Sequence, residues 1–242
     1  MRRWYYYAAI LFFIFVVNNR GLADNLTAPS FTLPVLCTEN PAARTKIRGT
    51  AVVIDLRGII VTAAHVVVEA HRSCVLTVLV PNGDWSRALG FHAFSVGDCS
   101  TNQPLDIAFC HIRPIENVRD WSYVRAASLE MGTPRPGSKV SITGFTGWGM
   151  LPTTVSGRIV PPAQVYRRQD GCYCDFAVDV TSHAGMSGSP ILTADGKVAG
   201  LVTTAGTGKF RGITFGTTLE RAAAFLNEAG LTAAASHSVE HH

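Results

Sequence analysis

Short runs of apolar residues, bounded by glycine, proline, asparagine and aspartate, recur along the chain from about residue 50 onward. Valine, isoleucine, phenylalanine and threonine are enriched in these runs, as is typical of β-strands. Turn signals such as Pro-Asn-Gly-Asp at 81–84 and Ala-Asp-Gly at 194–196 separate them. The pattern predicts strands at residues 50–56, 58–63, 75–80, 106–112, 139–143, 157–160, 174–180, 190–192 and 198–204. Many short strands at this spacing indicate an all-β sandwich or barrels.

One segment near the end of the chain has helical rather than strand periodicity. Apolar residues at i, i+3, i+4 and i+7 form a single stripe, made of Leu219, Ala222, Ala223 and Leu226. Thr217 and Glu220 have the spacing of a capping box, and Gly230 is a suitable stop. We therefore predict a helix over residues 218–229, packed on the last β unit. Residues 116–136, with mixed charge and two prolines, are the best candidate for a crossover between two β halves.

The first 23 residues have the three-part pattern of a secretory signal peptide. Arg2 and Arg3 give a basic start, residues 4–17 are apolar, and small residues at 21 and 23 precede the expected cleavage point. The apolar run is short for a membrane span, which needs about 20 residues, although a retained anchor is the competing interpretation. We expect a secreted or periplasmic protein without stable membrane association after cleavage. The tail at 233–242, which ends in two histidines, is either tag-derived or native.

Composition and charge exclude several classes of protein. Apolar residues make up 47% of the chain and charged residues 16%, which suits a sizeable core and not a disordered chain. The net charge is +4, and three arginines would leave with the signal peptide, so the mature chain is close to neutral. The basic residues form no stripe of the kind that nucleic-acid binding requires. We therefore expect no nucleic-acid partner and no electrostatic attraction to membranes.

All six cysteines follow the predicted signal peptide, and an exported chain can form disulfides from them: Cys37, Cys74, Cys99, Cys110, Cys172 and Cys174. Six cysteines allow 15 pairings, among which the sequence does not choose. On a strand, Cys172 and Cys174 would point to one face, too far apart to bond without distortion. At least one of them should pair elsewhere or stay free. A zinc site is a weaker interpretation, because the usual two-residue ligand spacing is missing.

Three short segments together carry the residue types of nucleophilic catalysis. A predicted strand ends in Val-Thr-Ala-Ala-His at 61–65, Asp106 opens an apolar strand at 104–109, and Ser187 lies between glycines in Gly-Met-Ser-Gly-Ser-Pro at 185–190. A serine becomes a strong nucleophile when an imidazole, here His65, accepts its proton. A buried carboxylate on the other ring nitrogen holds the required tautomer. The glycines permit a tight turn and a close approach of substrate to backbone N–H donors.

In this order and spacing, the segments resemble those of the chymotrypsin/trypsin-like serine proteases across residues 50–226. The histidine segment matches completely at 62–65, and the serine segment has the Gly-x-Ser-Gly-Ser-Pro form of bacterial branches, including glutamyl endopeptidases. The resemblance implies two six-stranded antiparallel β-barrels with a C-terminal helix and the active site between the barrels. The first barrel would span 24–118, the crossover 119–136, and the second barrel with the helix 137–232.

The same resemblance implies a role for each residue. Ser187 would be the nucleophile, His65 the general base and then acid, and Asp106 the group that orients His65. The backbone N–H groups of Gly185 and Ser187 would hold the oxyanion. A peptidase of this kind acts on protein or peptide substrates and needs neither a metal nor an organic cofactor. A catalytically silent binding module on the same fold, and an esterase using the same groups, are the alternatives.

Residues expected around the substrate carry no charge. The resemblance puts Thr181 at the base of the primary specificity pocket, which argues against a preference for Lys or Arg. Thr203, Thr204 and Ala205 would line the pocket and pair with the substrate backbone. Val202 stands where glutamyl endopeptidases have a histidine, which argues against glutamate specificity. We expect a small or medium uncharged side chain to be preferred.

Several positions depart from the animal trypsins. Val66 and His183 stand where those enzymes have cysteines, so the familiar disulfide frame is absent. Met186 replaces the aspartate that pairs with the new N-terminus on zymogen activation, and a thioether forms no ion pair. We therefore expect no activation of the trypsin type. The remaining histidines have no catalytic setting, although His183 could line the substrate site: His71, His92, His111 and His183.

Overall fold

The structure is a computed structural model, and it describes residues 28–39, 45–70, 74–83, 85, 88, 90–115, 124–147, 149–160, 166–167, 173–174 and 176–228. The predicted signal peptide, the first part of the predicted crossover and the tail lie outside these residues. Strands dominate the described part of the chain, which also contains two α-helices. Neither of these helices is long and apolar enough to cross a membrane.

The first half of the chain closes into a six-stranded antiparallel barrel. Its strands are β1 (Thr32–Thr38), β2 (Lys46–Asp55), β3 (Ile59–Thr62), β4 (Val75–Pro81), β5 (Phe91–Asn102) and β6 (Ile107–Pro114). The barrel order is β1-β2-β3-β6-β5-β4, and β4 pairs back onto β1. Every second residue of β4 from Leu76 is buried, so the strand follows the period of two that its apolar residues predicted. Leu33, Ile60 and Phe94 are among the fully buried side chains that fill the interior.

The second half forms a curled six-stranded sheet with the order β11-β14-β13-β12-β7-β8. Its strands are β7 (Lys139–Phe145), β8 (Pro152–Arg158), β11 (Phe176–Val178), β12 (Pro190–Thr193), β13 (Val198–Ala205) and β14 (Thr214–Thr218), and a separate pair consists of β9 (Tyr166–Arg167) and β10 (Tyr173–Cys174). A bridge between Ile159 and Val178 brings the two outer strands of the sheet together. The sheet therefore approaches a second barrel, and the predicted two-barrel fold is confirmed.

Two disulfides lie in the first barrel. Cys37 and Cys74 join the end of β1 to the start of β4, with Cα atoms 5.5 Å apart. Cys99 and Cys110 stand opposite each other on β5 and β6 and are also bonded. The structure thus chooses two pairings that the sequence left open. Cys174 is buried, with its Sγ 3.3 Å from the Thr203 hydroxyl, and Cys172 lies outside the described residues.

The helices are α1 (Ala64–Val68) and α2 (Leu219–Glu228). The predicted apolar stripe of α2 is confirmed at three of its four positions, because Leu219, Ala222 and Leu226 are buried in a cluster shared by both barrels, while Ala223 is half-buried. The predicted capping box is wrong. Arg221 N–H donates to Thr218 Oγ1 at 3.3 Å, so Thr218 caps the helix, while the Thr217 hydroxyl donates to the Leu105 carbonyl at 2.6 Å. The Glu220 carboxylate instead accepts the hydroxyl of Thr133.

Candidate active site

His65 lies where β3 gives way to α1, at the side of the first barrel that faces the second. Its ring is partly exposed, with 29% of the side chain accessible. Nδ1 lies 2.8 Å from Asp106 Oδ2, and the backbone N–H of His65 donates to Asp106 Oδ1 at 2.9 Å. A carboxylate beside Nδ1 favours a proton on that nitrogen, which leaves Nε2 as an acceptor. The two contacts with Asp106 therefore fix the orientation of the imidazole.

Asp106 ends a turn just before β6. Its backbone has a φ of +53°, in the left-handed region that aspartate and asparagine adopt more readily than other non-glycine residues. Its N–H donates to the Gln103 carbonyl at 3.0 Å, and its own carbonyl accepts from Ala64 N–H at 3.0 Å. Only 6% of the side chain is exposed. The turn therefore delivers a buried carboxylate to His65 and is locked to α1 by backbone bonds.

Ser187 lies in the serine loop, residues 185–189, which precedes β12 and contacts the first barrel. Gly188 has a φ of +81°, and its N–H donates to the Val202 carbonyl at 2.7 Å. A Cβ at Gly188 would overlap the Thr50 carbonyl and the Thr62 hydroxyl. Because Thr62 ends β3 and His65 follows three residues later, this close contact brings the serine loop beside the histidine segment.

Two N–H groups of the serine loop differ from the others. The N–H groups of Met186, Gly188 and Ser189 all donate to backbone carbonyls. Within the described part of the chain, those of Gly185 and Ser187 donate to no protein acceptor. The carbonyls of the same two residues are both bonded to Thr50. The loop therefore contains two available donors two residues apart, which suits the binding of an oxyanion.

No hydrogen bond joins the Ser187 hydroxyl to His65 among the described residues. The two segments are nonetheless close, since a Cβ at Gly49 would touch both the side chain of Val66, the residue after His65, and, at 3.0 Å, the Ser187 carbonyl. In unliganded enzymes such bonds are often long and tighten only when substrate binds. The structure thus joins His65 to Asp106 directly and brings the segment that carries Ser187 close to the segment that carries His65.

Met186 lies completely buried behind Ser187. It packs among the apolar residues of the second barrel, including Ile142, Ile191 and Val202. Its Sδ accepts the N–H of His183 at 3.4 Å, while His183 itself is exposed. The loop is therefore anchored by apolar packing at the position where the sequence departs from the animal trypsins.

The four predicted pocket residues differ in exposure. Thr181 and Ala205 are exposed, and Thr204 is half-buried. Thr203 is buried at a bulge in β13, and its hydroxyl donates to the Phe215 carbonyl at 3.3 Å. Its side chain therefore points into the second barrel. His92 and His111 lie on β5 and β6, and His71 lies outside the described residues.

Sequence reasoning missed Thr50. It lay inside a predicted strand, and no motif distinguished it from the threonines around it. Three of its four hydrogen bonds, to Phe145, Gly185 and Ser187, follow only from the packing of one barrel on the other, and the fourth joins it to Thr62 within the first barrel.

A β-barrel packed on a second curled β-sheet, with a His–Asp pair and a serine loop between them, defines the chymotrypsin-like class of protein. The family model for the trypsin-like peptidase domain matches residues 49–201, and the chain belongs to that family. The matched span contains all three segments singled out in the sequence. No match exists among curated proteins.

Proposed function

We propose that the protein is a serine endopeptidase that cleaves peptide bonds through Ser187, His65 and Asp106. The observation that carries the proposal is the double contact of Asp106 with His65, on the ring nitrogen and on the backbone N–H. The available donors of Gly185 and Ser187 support it independently. A family domain without enzymatic activity would need neither feature.

Each residue takes one role in the reaction. His65 Nε2 accepts the proton of the Ser187 hydroxyl as its oxygen attacks the scissile carbonyl, and Asp106 stabilises the imidazolium that forms. The N–H groups of Gly185 and Ser187 bind the negative oxygen of the tetrahedral intermediate. His65 then protonates the leaving amine, which leaves an acyl-enzyme. Water, deprotonated by His65, then attacks the acyl carbon, and His65 returns that proton to Ser187 Oγ as the ester bond breaks and the carboxylic acid product leaves.

We assign the serine segment to the bacterial type because Ser189 and Pro190 follow Gly188. The uncharged and exposed Thr181 favours substrates with a small or medium uncharged side chain at the cleavage site. Thr204 and Ala205 reach the surface at the end of β13 and would pair with substrate backbone. Thr203 would contribute through its backbone alone.

The active site should form without activation of the trypsin type. Met186 is buried among apolar side chains and offers no charge to a new N-terminus. An ammonium group brought there would lose its hydration without gaining a partner, which is strongly unfavourable. The serine loop must therefore take its shape from packing and from hydrogen bonds to the first barrel.

We place the protein outside the cytoplasm, secreted or periplasmic. The disulfides Cys37–Cys74 and Cys99–Cys110 support this, since such bonds persist in oxidising compartments. The predicted signal peptide at 1–23 points the same way. The proposed partners are protein or peptide substrates, with no nucleic acid and no stable membrane association after cleavage.

A fluorophosphonate probe tests the proposed activity directly. It should label the folded mature protein at Ser187, as located by mass spectrometry, and fail to label Ser187→Ala and His65→Ala. Ser141→Ala, a serine on β7 outside the site, serves as the control and should label normally. Absence of labelling in folded protein would contradict the proposal and favour a binding module. Labelling together with turnover of esters but not of peptides would favour an esterase.

A further inference from the structure

Thr50 on β2 is fully buried where the first barrel meets the serine loop. Its hydroxyl donates to the Gly185 carbonyl at 3.0 Å and accepts the N–H of Phe145 at 3.0 Å. Its own N–H donates to the Ser187 carbonyl at 2.8 Å, and its carbonyl accepts the Thr62 hydroxyl at 2.7 Å. One residue therefore bonds the serine loop, the end of β7 and the end of β3.

Two backbone hydrogen bonds to the carbonyls of Ala184 and Met186 determine where the free N–H groups of the loop point. The N–H and C=O of a trans peptide point in opposite directions, so fixing one fixes the other. The Ala184 carbonyl accepts from Gly147 N–H at 2.9 Å, and the Met186 carbonyl accepts from Ser189 N–H at 3.0 Å. The N–H groups of the following residues, Gly185 and Ser187, are therefore turned away from these contacts.

The Thr50 hydroxyl supports this arrangement from two sides. It holds the Gly185 carbonyl directly, and it holds Phe145, whose segment supplies the Gly147 N–H. Gly185 has a φ of +95° and no side chain, so besides the Thr50 hydroxyl its two peptide groups are held only by backbone hydrogen bonds, from Gly147 N–H to the Ala184 carbonyl and from Met186 N–H to the His183 carbonyl. Without the hydroxyl, a buried donor and a buried acceptor would both lose a partner, and reorientation of Gly185 would relieve the loss.

We propose that Thr50 is a positioning residue of the site, whose hydroxyl keeps the Gly185 N–H aimed at the oxyanion position. The proposal rests on the proposed function of the Gly185 and Ser187 donors. It concerns orientation of these donors and leaves the base, His65, unaffected.

Thr50→Val tests the proposal because it removes the hydroxyl and keeps the branched shape. The fluorophosphonate labelling rate should fall about 10- to 100-fold, approaching the effect of losing one oxyanion donor. The pH midpoint of labelling should not move, because His65 and Asp106 are untouched. Thr50→Ser keeps a hydroxyl and should recover most of the rate.

Two control variants separate positioning from general destabilisation. Thr143→Val removes a buried hydroxyl whose bond to the Thr154 hydroxyl, at 2.9 Å, joins β7 to β8. It should lower the unfolding midpoint and leave the labelling rate unchanged. Thr32→Val removes a buried hydroxyl on β1 that has no partner among the described residues, and it should neither lower the unfolding midpoint nor change the labelling rate.

The outcomes distinguish the two proposals. Labelling of Thr50→Val within about twofold of the parent, while Ser187→Ala is unlabelled, overturns the positioning role and leaves the activity standing. A second readout is independent of labelling: the amide NMR signal of Gly185 should shift in Thr50→Val and not in Thr143→Val. An unmoved Gly185 signal overturns the positioning role, even if the parent protein fails to label and the proposed activity is lost with it.

Discussion

Replacement of Asp106 by asparagine separates the chemistry of this position from its structural role. Asp106 now offers two acceptor oxygens, one to His65 Nδ1 and one to the His65 N–H. Asparagine offers one oxygen and one NH₂ group. If its oxygen keeps the backbone N–H, its NH₂ faces Nδ1 and requires that nitrogen to be an acceptor. The proton then resides on Nε2, which can no longer accept the proton of Ser187.

The size of the effect follows from which contacts survive. Loss of the correct tautomer costs about 10³- to 10⁴-fold in rate, or about 4–5 kcal/mol of barrier. The fold should lose much less, because asparagine tolerates the φ of +53° as well as aspartate does. Asp106→Ala removes both acceptors and also places alanine in the left-handed region. The alanine variant should therefore be the less stable of the two.

The assay compares the second-order rate of fluorophosphonate labelling with the urea midpoint for both variants. We expect Asp106→Asn to lose labelling at least about 10³-fold while its midpoint stays closer to the parent than that of Asp106→Ala. Labelling of Asp106→Asn within tenfold of the parent would refute the reasoning, because His65 would then not depend on Asp106 for its tautomer. Equal loss of stability in both variants would refute the expectation that asparagine preserves the turn at position 106 better than alanine does.

Three further predictions concern the packing around the site and the pH dependence of stability. Gly144→Ala should lose about 2–3 kcal/mol in urea unfolding, since its Cβ would overlap Ser189 Oγ, and Ser189→Gly should recover part of it; additive losses would contradict the overlap. Met186→Asp should lose about 3 kcal/mol or more and all labelling at neutral pH, because it buries an unpaired carboxylate; a stable, active variant would contradict the apolar anchor. The hydrogen bond from Arg57 lowers the pKa of Asp55 below 3.8. The contribution of this ion pair to the stability of the fold is therefore present above pH 3.8 and is lost as the pH falls through the lowered pKa of Asp55. Arg57→Gln should therefore reduce the urea midpoint at pH 7, and the difference from the parent should shrink in strongly acidic buffer; a constant difference would exclude the linkage.

The elements that sequence periodicity predicted well are those with continuous apolar runs. Residues 75–80 and 198–204 were placed within one residue of β4 and β13. Strand β1 was missed because Pro34 interrupts it, although a proline is tolerated where the partner strand does not need its N–H. Strand β5 was missed because Asp98, with a φ of +42°, forms a bulge that breaks the alternation.

The N-terminal cap of α2 shows a second reason why the sequence did not predict every detail of the fold. Thr217 and Thr218 are equivalent in sequence as caps for α2, and the spacing to Glu220 favoured Thr217. The structure uses Thr217 to bond the Leu105 carbonyl, in the turn that ends at Asp106. That bond connects the second barrel to the turn carrying the carboxylate. Competition from a partner far away in the chain, which local spacing does not encode, therefore moved the cap by one residue.

Gly188 shows why the short serine motif at 185–190 was a good predictor of the candidate site. The sequence suggested that glycines beside Ser187 serve a tight turn and the approach of substrate. The structure adds a stronger requirement, because a Cβ at Gly188 would overlap the Thr50 carbonyl and the Thr62 hydroxyl of the first barrel. The serine motif of the second half therefore also packs directly against the first barrel, and part of the surface that it contacts is the histidine motif. Segments whose backbones must pack in direct contact require small residues at fixed positions, and such a pattern is recognisable in the sequence. Thr50 contacts both segments through hydrogen bonds, but a threonine of this kind could belong to any buried strand.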